Sequence, residues 1–163
     1  MDELKEKILT IMEKNSKVSI EDLALLLGDT VDNVTTAIYE MERDKVICGY
    51  HTLINWNKVN NQKVIAMIEV RVTPQRGQGF DRIAERIYNF SEVNAVYLIS
   101  GGFDLMVMLE GKTLQDVAMF VSDKLSPMDS VLSTATHFVL KKYKEHGTIL
   151  VCESPRERML ITP

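Results

Sequence analysis

The chain has 163 residues and a formal net charge of −4, which leaves room for one mid-sized domain or two small ones. Hydrophobic residues make up 45% of the sequence and charged residues 26%, so a packed globular fold is expected rather than a disordered chain. No apolar run approaches the roughly 20 residues that cross a bilayer, and the charged amino-terminal stretch does not predict a secretory signal.

The cysteines and histidines predict neither disulfide nor metal chemistry. Cys48 and Cys152 are distant in sequence and form no CxxC pair, which favours a reducing, cytoplasmic setting. His51, His137 and His146 are scattered without the spacing of metal ligands. We therefore expect no cofactor, no metal site and no membrane association.

Negative charge is concentrated in the amino-terminal part of the chain. Residues 1–50 hold six Lys and Arg against eleven Asp and Glu, a net charge of −5, whereas residues 51–163 hold thirteen against twelve. Phosphate contacts by Lys and Arg supply most of the non-specific affinity for DNA. An acidic amino-terminal domain is therefore unfavourable for a nucleic-acid binder.

Three short helices are predicted in the first domain, residues 1–54. Apolar residues at helical spacing predict the first helix over 3–13. Ser19 is the expected cap of a second helix that stops at Gly28, and a third helix is predicted over 31–43. Two helices joined by a tight, glycine-containing turn indicate a helix-turn-helix.

β-prone residues follow the third helix. Val46, Ile47 and Tyr50 surround Gly49, and this pattern predicts the wing of a winged helix-turn-helix. The polar stretch 55–62 breaks the pattern and is predicted to link the two domains.

The second domain, residues 63–146, alternates between strand and helix patterns. Every second residue of 63–72 is apolar, which predicts a strand with one buried face. Helices are predicted over 80–90 and 114–125, and further strands over 93–100, 103–109 and 131–140. The order β-α-β-β-α-β is the ferredoxin-like plan. The predicted fold class is thus α+β, with an N-terminal winged helix-turn-helix before a ferredoxin-like βαββαβ domain.

Residues 147–163 are predicted to form a carboxyl-terminal tail with some order. The tail contains aliphatic residues at 149–151 and 160, which a purely disordered segment would lack. We expect either an extra strand at the edge of the sheet or an arm that reaches a neighbouring subunit.

The chain resembles the Lrp/AsnC (feast/famine) family of transcription regulators over nearly its full length. The segments that carry the resemblance include VICGY at 46–50, SGGFDL at 100–105 and STATHFVL at 133–140. The resemblance implies that the second domain is similar to the family's RAM domain. It also implies that such domains form dimers, that dimers join into tetramers or octamers, and that small effectors, usually amino acids, bind where dimers meet.

The resemblance places DNA contacts on and just beyond the third helix. Side chains there that can hydrogen-bond base edges or phosphates are Asn33, Thr35, Thr36, Tyr39, Arg43 and Lys45. Ala37 stands where the family pattern has an arginine, so we expect an arginine at this position to strengthen DNA binding.

The resemblance also implies an effector site at the Gly-Gly-Phe-Asp hairpin. Asp104, with the main chain of Gly101 and Gly102, is the candidate to hold an ammonium group, and Thr134 and Thr136 of the last strand are added to it. Simpler interpretations exist for these residues, because Asp and Gly are common in turns and Thr is a common strand residue.

The expected function is that of a sequence-specific DNA-binding transcription regulator whose assembly or DNA affinity responds to a small effector such as an amino acid. Its expected partners are double-stranded DNA, the effector and further copies of the chain. The alternative is an amino-acid sensor of the same fold that has lost DNA binding and acts through a partner protein. The siroheme decarboxylases resemble this two-domain plan, but their His- and Arg-rich catalytic segment has no counterpart here. We therefore expect no enzyme activity and no catalytic residue.

Overall fold

The computed structural model describes residues 2–59, 63–73 and 79–151, and the chain divides into two compact units, Met1–Ile54 and Asn55–Pro163. The helices are α1 (Glu3–Lys14), α2 (Ile20–Leu27), α3 (Val31–Arg43), α4 (Asp81–Tyr88) and α5 (Leu114–Phe120), with a 3-10 turn at Trp56–Lys58 and a π-helical turn at Val121–Leu125. The strands are β1 (Val64–Val72), β2 (Val93–Leu98), β3 (Leu105–Gly111), β4 (Val131–Phe138), β5 (Lys144–Glu145) and β6 (Thr148–Ile149). No helix within the described ranges is long and apolar enough to cross a membrane.

Side-chain caps mark the start of α2 and of α3 in the first unit. The Asp22 N–H donates to Ser19 Oγ over 3.1 Å and so caps α2. Gly28 ends α2 with φ of 66°, a left-handed conformation that glycine adopts at little cost. The Asn33 N–H donates to Thr30 Oγ1 over 3.2 Å and caps α3. The turn between α2 and α3 is therefore short and fixed at both ends, as the helix-turn-helix prediction requires.

The three helices of the first unit pack around one small apolar core. Ile8 of α1 and Leu23 of α2 lie among residues of α3 at this core. The fully or nearly buried members are Ile8, Leu23, Ala24, Val34, Ala37 and Met41. The opposite side of α3, which makes no contribution to this core, is left exposed.

The first unit differs from the prediction in the segment that was expected to form the wing. No strand occurs between residues 46 and 54, all of which the structure describes. A strand needs hydrogen-bonding groups of a second strand beside it. No strand of the described residues pairs with residues 46–54, and local β propensity does not supply the missing partner.

The second unit confirms the βαββαβ order, and its sheet is built around β1. The strand order is β2-β3-β1-β4, so β1 is central and pairs antiparallel with both β3 and β4. The strand alternates between buried and less buried residues, because successive side chains point to opposite faces of a sheet. The buried face supplies Ala66, Ile68, Val70 and Val72 to a core that α4 and α5 complete with residues such as Ile87 and Val117.

The other face of the sheet is only partly buried. Met67 of β1 lies between Met108 of β3 and His137 of β4, its direct cross-strand neighbours. Glu69 pairs with Met106 in the same way, and His137 Nε2 lies 3.2 Å from Glu69 Oε1. We call this surface, defined by its members on β1, β3 and β4, the open sheet face; its members are Ile65, Met67, Glu69, Arg71, Met106, Met108, Glu110, Ser133, Ala135 and His137.

The chain after β4 forms a small hairpin of its own. β5 and β6 pair antiparallel with each other and not with the four-stranded sheet. His146 and Gly147 have φ of 44° and 77°, and two such residues form the tight turn that reverses a hairpin. β6 lies within the segment predicted to be the tail, but it pairs with β5 and not with an edge of the four-stranded sheet. Residues 152–163 of the expected tail lie outside the described residues.

Candidate nucleic-acid interface and effector site

The six side chains predicted to contact DNA all lie on exposed positions of α3 or just after it. The core uses Val34, Ala37 and Met41, so helical geometry turns the intervening polar residues away from it. The exposed residues are Asn33, Thr35, Thr36, Tyr39, Arg43 and Lys45. Their shared exposure provides a polar helix surface that can enter a groove of DNA.

Hydrogen bonds within the turn already occupy part of this surface. Asn33 Nδ2 and the Thr30 N–H each donate to Asp29 Oδ1 over 2.7 Å. The hydrogen bond from the Asn33 side chain, followed by that from the Thr30 backbone, lowers the pKa of Asp29. Asn33 is therefore held in one orientation, with its side-chain oxygen left to accept a hydrogen bond.

The hydroxyl groups of Thr35, Thr36 and Tyr39 differ in whether they already make a hydrogen bond within the described residues. Thr35 Oγ1 donates to the Val31 carbonyl over 2.7 Å, so its hydrogen is used within the helix. The side chains of Thr36 and Tyr39 make no hydrogen bond to the described residues, and Tyr39 is 64% exposed. Thr36 and Tyr39 are thus the freest donors on α3.

Charges on α3 are largely paired with neighbours in the same unit. Lys5 Nζ of α1 lies 2.6 Å from Glu40 Oε2, and the hydrogen bond between them lowers the pKa of Glu40 and raises that of Lys5. Arg43 donates through Nε to Asp44 Oδ1 over 2.8 Å. The negative charge of Glu40 is therefore offset, but so is the positive charge of Arg43.

Tyr50 provides a further contact to α3. Its hydroxyl donates to Glu42 Oε1 over 2.6 Å. This hydrogen bond, together with burial and the carboxylate charge, raises the pKa of Tyr50 to about 12. The contact ties the segment after α3 to the helix although that segment has no strand.

Lys45, the second residue after α3, has an unusual backbone conformation. Its φ is 58°, in the left-handed region that favours glycine. The Val46 N–H donates to the Met41 carbonyl over 2.8 Å and the Lys45 N–H to the Glu42 carbonyl over 3.2 Å, the pair of bonds found in a Schellman end. Lys45 therefore occupies a position where a glycine would be more stable, and it makes no ion pair with the described residues.

The expectation for Ala37 is wrong. Ala37 is 5% exposed and belongs to the core with Val34 and Met41, so an arginine there would enter the core and not a DNA groove. The family pattern indicated position 37 for the cation, but it did not indicate that the side chain at this position points into the core. Thr36, the preceding residue, is exposed and is the better place for an added cation.

In the second unit, the carboxylate of Asp104 takes part in the sheet. The Val72 N–H donates to Asp104 Oδ2 over 2.8 Å, at the point where the ladder between β1 and β3 has ended. The Asp104 N–H donates to the Val70 carbonyl over 3.1 Å, and the Ile99 N–H donates to the Asp104 carbonyl over 2.8 Å. Asp104 thus fixes the hairpin to β1 with one oxygen and leaves its other oxygen, Oδ1, without a hydrogen bond to the described residues.

The two glycines of the hairpin are not required by the fold of the single chain. Neither Gly101 nor Gly102 has a positive φ. A Cβ added at Gly102 would meet nothing within 4 Å, and one at Gly101 would make only an ordinary contact, 3.8 Å from the Ile99 side chain. Both residues are exposed, so the backbone here is open to a close approach by another molecule.

The threonines of β4 do not join the hairpin in one site. Thr134 pairs with Val70 and Thr136 with Ile68, so both threonines lie on the helix-covered side and are half-buried. Asp104 lies beside the other edge of β1, next to β3. Two strand spacings, about 10 Å, separate Asp104 from the threonines. One small amino acid cannot span this distance with direct hydrogen bonds.

A separate cavity of about 450 Å³ lies at the other end of the sheet. None of the predicted effector residues lines it. Its walls carry charges of both signs, and Lys124, which is paired with Glu92, also lies over the rings of Phe90 and Phe120. The residues lining the cavity are Glu92, Glu110, Gly111, Lys112, Asp116, Met119, Phe120, Asp123 and Lys124.

Sequence reasoning missed the contacts that neutralise α3 and the strain at Lys45. Lys5 and Glu40 are 35 positions apart and Tyr50 and Glu42 are eight apart, and no short-range pattern links them. Only the position of Lys45, just after a helix, where glycine is usual, gave a signal for its left-handed conformation.

Comparison with known proteins matches both units. The family profile of the Lrp/AsnC ligand binding domain matches residues 65–149. The uncharacterized HTH-type transcriptional regulator YugG of Bacillus subtilis is 48% identical over 162 residues, which is 99% of this chain and 98% of that protein.

Two solved structures have the same fold at low sequence identity. A transcriptional regulator of Neisseria meningitidis, solved as an L-Met complex, has a TM-score of 0.70 at 20% identity and covers 89% of this chain and 93% of its own. The leucine response regulatory protein of Mycobacterium tuberculosis has a TM-score of 0.74 at 16% identity and covers 93% of this chain and 100% of its own.

We predict that Lys45→Gly stabilises the protein. Relief of the left-handed strain, less the extra entropy of glycine in the unfolded chain, should raise the free energy of unfolding by roughly 0.5–1 kcal/mol. Lys45→Ala is the control, because it removes the charge and keeps the Cβ. Urea denaturation measures both variants, and an equal gain in both would show that charge and not backbone strain is the cause.

We predict that Asp104→Ala destabilises the second unit whereas Asp104→Asn has a smaller effect. Alanine leaves the Val72 N–H without its acceptor, at a cost of about 1–3 kcal/mol. Asparagine keeps an oxygen at the same place. Thermal unfolding of the two variants tests this, and equal losses would contradict a hydrogen-bonding role for the carboxylate.

Proposed function

Because the chain belongs to the Lrp/AsnC family of HTH-type transcriptional regulators, we propose that α3 binds double-stranded DNA in the cytoplasm and that a small effector bound by the second unit controls this binding. The observation that carries the DNA-binding part is the exposed polar surface of α3, held by two capped helix ends and a fixed turn. A transcription regulator needs no catalytic step, and we propose none.

In this proposal Thr36 and Tyr39 contact bases or phosphates, and Lys45 is the main cation. Arg43 contributes after exchanging Asp44 for a phosphate, since the Arg43–Asp44 pair is largely exposed and such pairs are weak. Asn33 and Thr35 present the remaining hydrogen-bonding atoms. One unit with few free cations gains little from counterion release, so its affinity for DNA is low.

Assembly compensates for this low affinity. Two DNA-binding units held in one particle address successive major grooves, about 34 Å apart. Linking two sites raises the apparent affinity without any new contact. The proposal therefore requires that the chain form at least a dimer.

The open sheet face is the proposed dimer interface. Ile65, Met67, Met106 and Met108 lie on it half-buried, and a monomer would leave this apolar surface in contact with water. Flexible methionine side chains pack well at adaptable interfaces. A second copy with the same face covers the surface by stacking sheet on sheet.

The proposed effector is an amino acid, and the hairpin from Gly101 to Asp104 is its proposed contact. The two exposed glycines, which the fold of the single chain does not require, leave space for close approach of a ligand or a second dimer. Asp104 Oδ1 is available to an ammonium group. The Neisseria meningitidis regulator of the same fold was solved as an L-Met complex, which supports an amino acid as the class of effector.

We expect Thr134 and Thr136 to belong to a separate part of this site. They lie on the other side of β1 from Asp104, so one ligand reaches both groups only if a neighbouring subunit or water completes the site. The effector site is therefore proposed to form on assembly, which couples effector binding to the population of oligomers.

The alternative is a sensor that does not bind DNA. It is favoured by the net charge of the first unit and by the pairing of Arg43 with Asp44. The two functions differ in one measurable property, since only the regulator shows salt-dependent binding to duplex DNA.

We predict that Thr36→Arg strengthens DNA binding. A cation at this exposed position of α3 adds about one phosphate contact, so affinity should rise several-fold at low salt and the salt slope should steepen by about 0.9. Thr10→Arg, with the same change on the exposed side of α1, should have little effect. Fluorescence anisotropy with the protein's own upstream DNA, at two salt concentrations, is the measurement.

Ala37→Arg completes the test. Because Ala37 lies in the core, we expect this variant to lose stability instead of gaining affinity. If wild type, Thr36→Arg and Thr10→Arg all fail to bind duplex DNA at low salt, with or without amino acids, the sensor replaces the regulator.

We predict that the wild-type chain is at least a dimer and that Met67→Asp dissociates it. A carboxylate at the centre of the open sheet face would be desolvated in a stacked pair. Light scattering should give a multiple of 18.5 kDa for the wild type and 18.5 kDa for the variant. Met119→Asp, on an exposed position of α5, is the control.

A second variant distinguishes loss of the interface from misfolding of the chain. Ala135→Asp lies on an exposed position of the same face, where a carboxylate does not enter the core. A wild-type mass of 18.5 kDa at micromolar concentration, or dimers of unchanged stability in both variants, would rule out this interface.

We predict that Asp104→Asn abolishes stabilisation by an amino acid while the protein remains folded and assembled. Asparagine keeps the acceptor for Val72 and removes the charge that holds an ammonium group. Thermal-shift screening against the twenty amino acids identifies the effector in the wild type, because a ligand at 100 times its Kd adds about 2.7 kcal/mol. An unchanged shift in the variant would place the site elsewhere.

A further inference from the structure

A short basic segment follows the last strand of the sheet. Residues 139–151, which we call the basic hairpin, contain the three lysines Lys141, Lys142 and Lys144 and a single carboxylate, Glu145. The Lys142 Nζ is paired with Glu145 Oε1 at 2.6 Å. Lys141 and Lys144 are exposed and form no ion pair with the described residues. The basic hairpin therefore presents two free ammonium groups that are close together in sequence.

The main chain holds these lysines on an ordered element. β5 pairs with β6, and the two residues between them, His146 and Gly147, have φ of 44° and 77°, as a tight two-residue turn requires. The Leu150 N–H donates to the Tyr143 carbonyl over 2.9 Å, and the Leu150 carbonyl accepts from Asn55 Nδ2 over 2.7 Å. Because the backbone is already ordered, a ligand of the lysines loses less free energy to ordering of the chain.

An exposed tyrosine lies between the two free lysines. Tyr143 is 64% exposed, and Lys141 Nζ lies 5.0 Å from the centre of its ring. This contact orients the ammonium group without neutralising its charge. Lysine ammonium groups and tyrosine hydroxyls both hydrogen-bond the phosphates of nucleic acids. The basic hairpin thus places two kinds of phosphate-binding group side by side on an exposed surface.

The charge distribution along the chain gives these lysines their importance. Residues 1–50 have a net charge of −5, and Arg43 after α3 is paired with Asp44. The basic hairpin, with three lysines and one glutamate, has a net charge of +2. Counterion release at phosphates supplies most of the non-specific affinity for DNA. The basic hairpin therefore has a more favourable net charge for phosphate contacts than the first unit has.

We propose that the basic hairpin binds the backbone phosphates of duplex DNA through Lys141 and Lys144, as a second DNA-contacting surface in addition to α3. The inference rests on the proposed function, because duplex DNA is the ligand proposed there. Phosphate contacts carry no sequence information, so the basic hairpin raises the affinity for any duplex, whereas α3 reads the bases. Lys142 remains with Glu145 and takes no part.

Anionic lipid headgroups are the competing partner. They also carry phosphates, and Leu140 and Ile149 beside the lysines are 95% and 69% exposed. Nucleic acid is favoured because the chain belongs to a family of HTH-type transcriptional regulators. The basic hairpin is moreover a short two-stranded element, whereas binding to a membrane surface typically uses an amphipathic helix.

The test uses Lys141→Gln, Lys144→Gln and the double variant in the full-length chain. Glutamine keeps much of the side chain and removes the charge, whereas Lys141→Arg combined with Lys144→Arg keeps both charges. Arg86→Gln removes one charge from an exposed position of α4 and is the matched control for each single variant. Circular dichroism and light scattering establish that every variant is folded and has the wild-type mass.

Salt titrations measure the number of phosphate contacts. Fluorescence anisotropy follows binding to a duplex of unrelated sequence over a series of salt concentrations. Each single glutamine variant should make the slope of log affinity against log salt shallower by about 0.9, and the double variant by about 1.8. At low salt the affinity of the double variant should fall about tenfold. The double arginine variant and Arg86→Gln should keep the wild-type slope.

Lysine acylation measures the contact directly. The wild-type chain is treated with an N-hydroxysuccinimide ester of acetic acid, with and without saturating duplex, and mass spectrometry gives the rate of reaction at each lysine. We expect Lys141 and Lys144 to react several-fold more slowly when duplex is bound. Because the same wild-type assembly is compared with itself, a change in fold or mass of a variant cannot produce this result.

The outcomes separate this inference from the proposed function. Slopes that change no more in the glutamine variants than in Arg86→Gln, or acylation rates that duplex does not change, would overturn the inference and leave the role of α3 standing. Loss of binding to phosphatidylglycerol vesicles in the double variant, with DNA binding unchanged, would also overturn it, in favour of lipid. If Tyr39→Ala combined with Lys45→Gln does not change DNA affinity and the double glutamine variant abolishes it, the inference stands and the proposed role of α3 fails. A wild-type chain that binds no duplex at low salt would overturn both.

Discussion

The second unit depends on the hydrogen bonding of β1 along both of its edges. A central strand has no free N–H or C=O groups, and its alternate residues are divided between two faces. In this chain one face carries small and branched apolar residues that pack under α4 and α5, and the other carries methionines and charged residues. The registers of β3 and β4 against β1 then determine which side chains of those strands share a face.

The two ends of β1 are held by different side-chain contacts. At its carboxyl end the ladder with β3 stops, and Asp104 replaces a main-chain acceptor for Val72. Beyond its amino end Lys63 lies between the Trp56 ring and Glu110. The hairpin proposed to meet the effector is therefore fixed to β1 through the same carboxylate that is proposed to bind the effector.

The acidic first unit repels DNA less than its net charge suggests, because ion pairs offset carboxylates of α3. The same ion pairs also occupy cations. Glu40 is offset by Lys5, and Arg43 is offset by Asp44. Exposed pairs of this kind contribute little to stability, so a phosphate can replace Asp44 at small cost. The strained Lys45, kept where glycine would be more stable, is the cation that the fold holds available at the end of α3. For the proposed function this means weak contacts between each single unit and DNA, which the proposed assembly would offset.

The sequence by itself determined helices α1 to α5, strands β1 to β4 and their order. The 3.6-residue and two-residue repeats are properties of neighbouring residues, and Ser19, Gly28 and Thr30 act within one turn of chain. The polar, exposed side of α3 followed from the same periodicity, whereas the choice of contact residues on it and just after it came from the family resemblance. The family resemblance and the βαββαβ plan needed no knowledge of which residues touch across the fold.

The tertiary structure decided everything that depends on residues distant in sequence. It placed Ala37 in the core and Thr134 on the side of β1 away from Asp104. It left residues 46–54 without a strand, because no partner strand of the described residues lies beside them, and it brought the Leu150 carbonyl to Asn55. A repeat in sequence shows that one side of an element is apolar, but the neighbours of a side chain are chosen by segments that only the folded chain brings together.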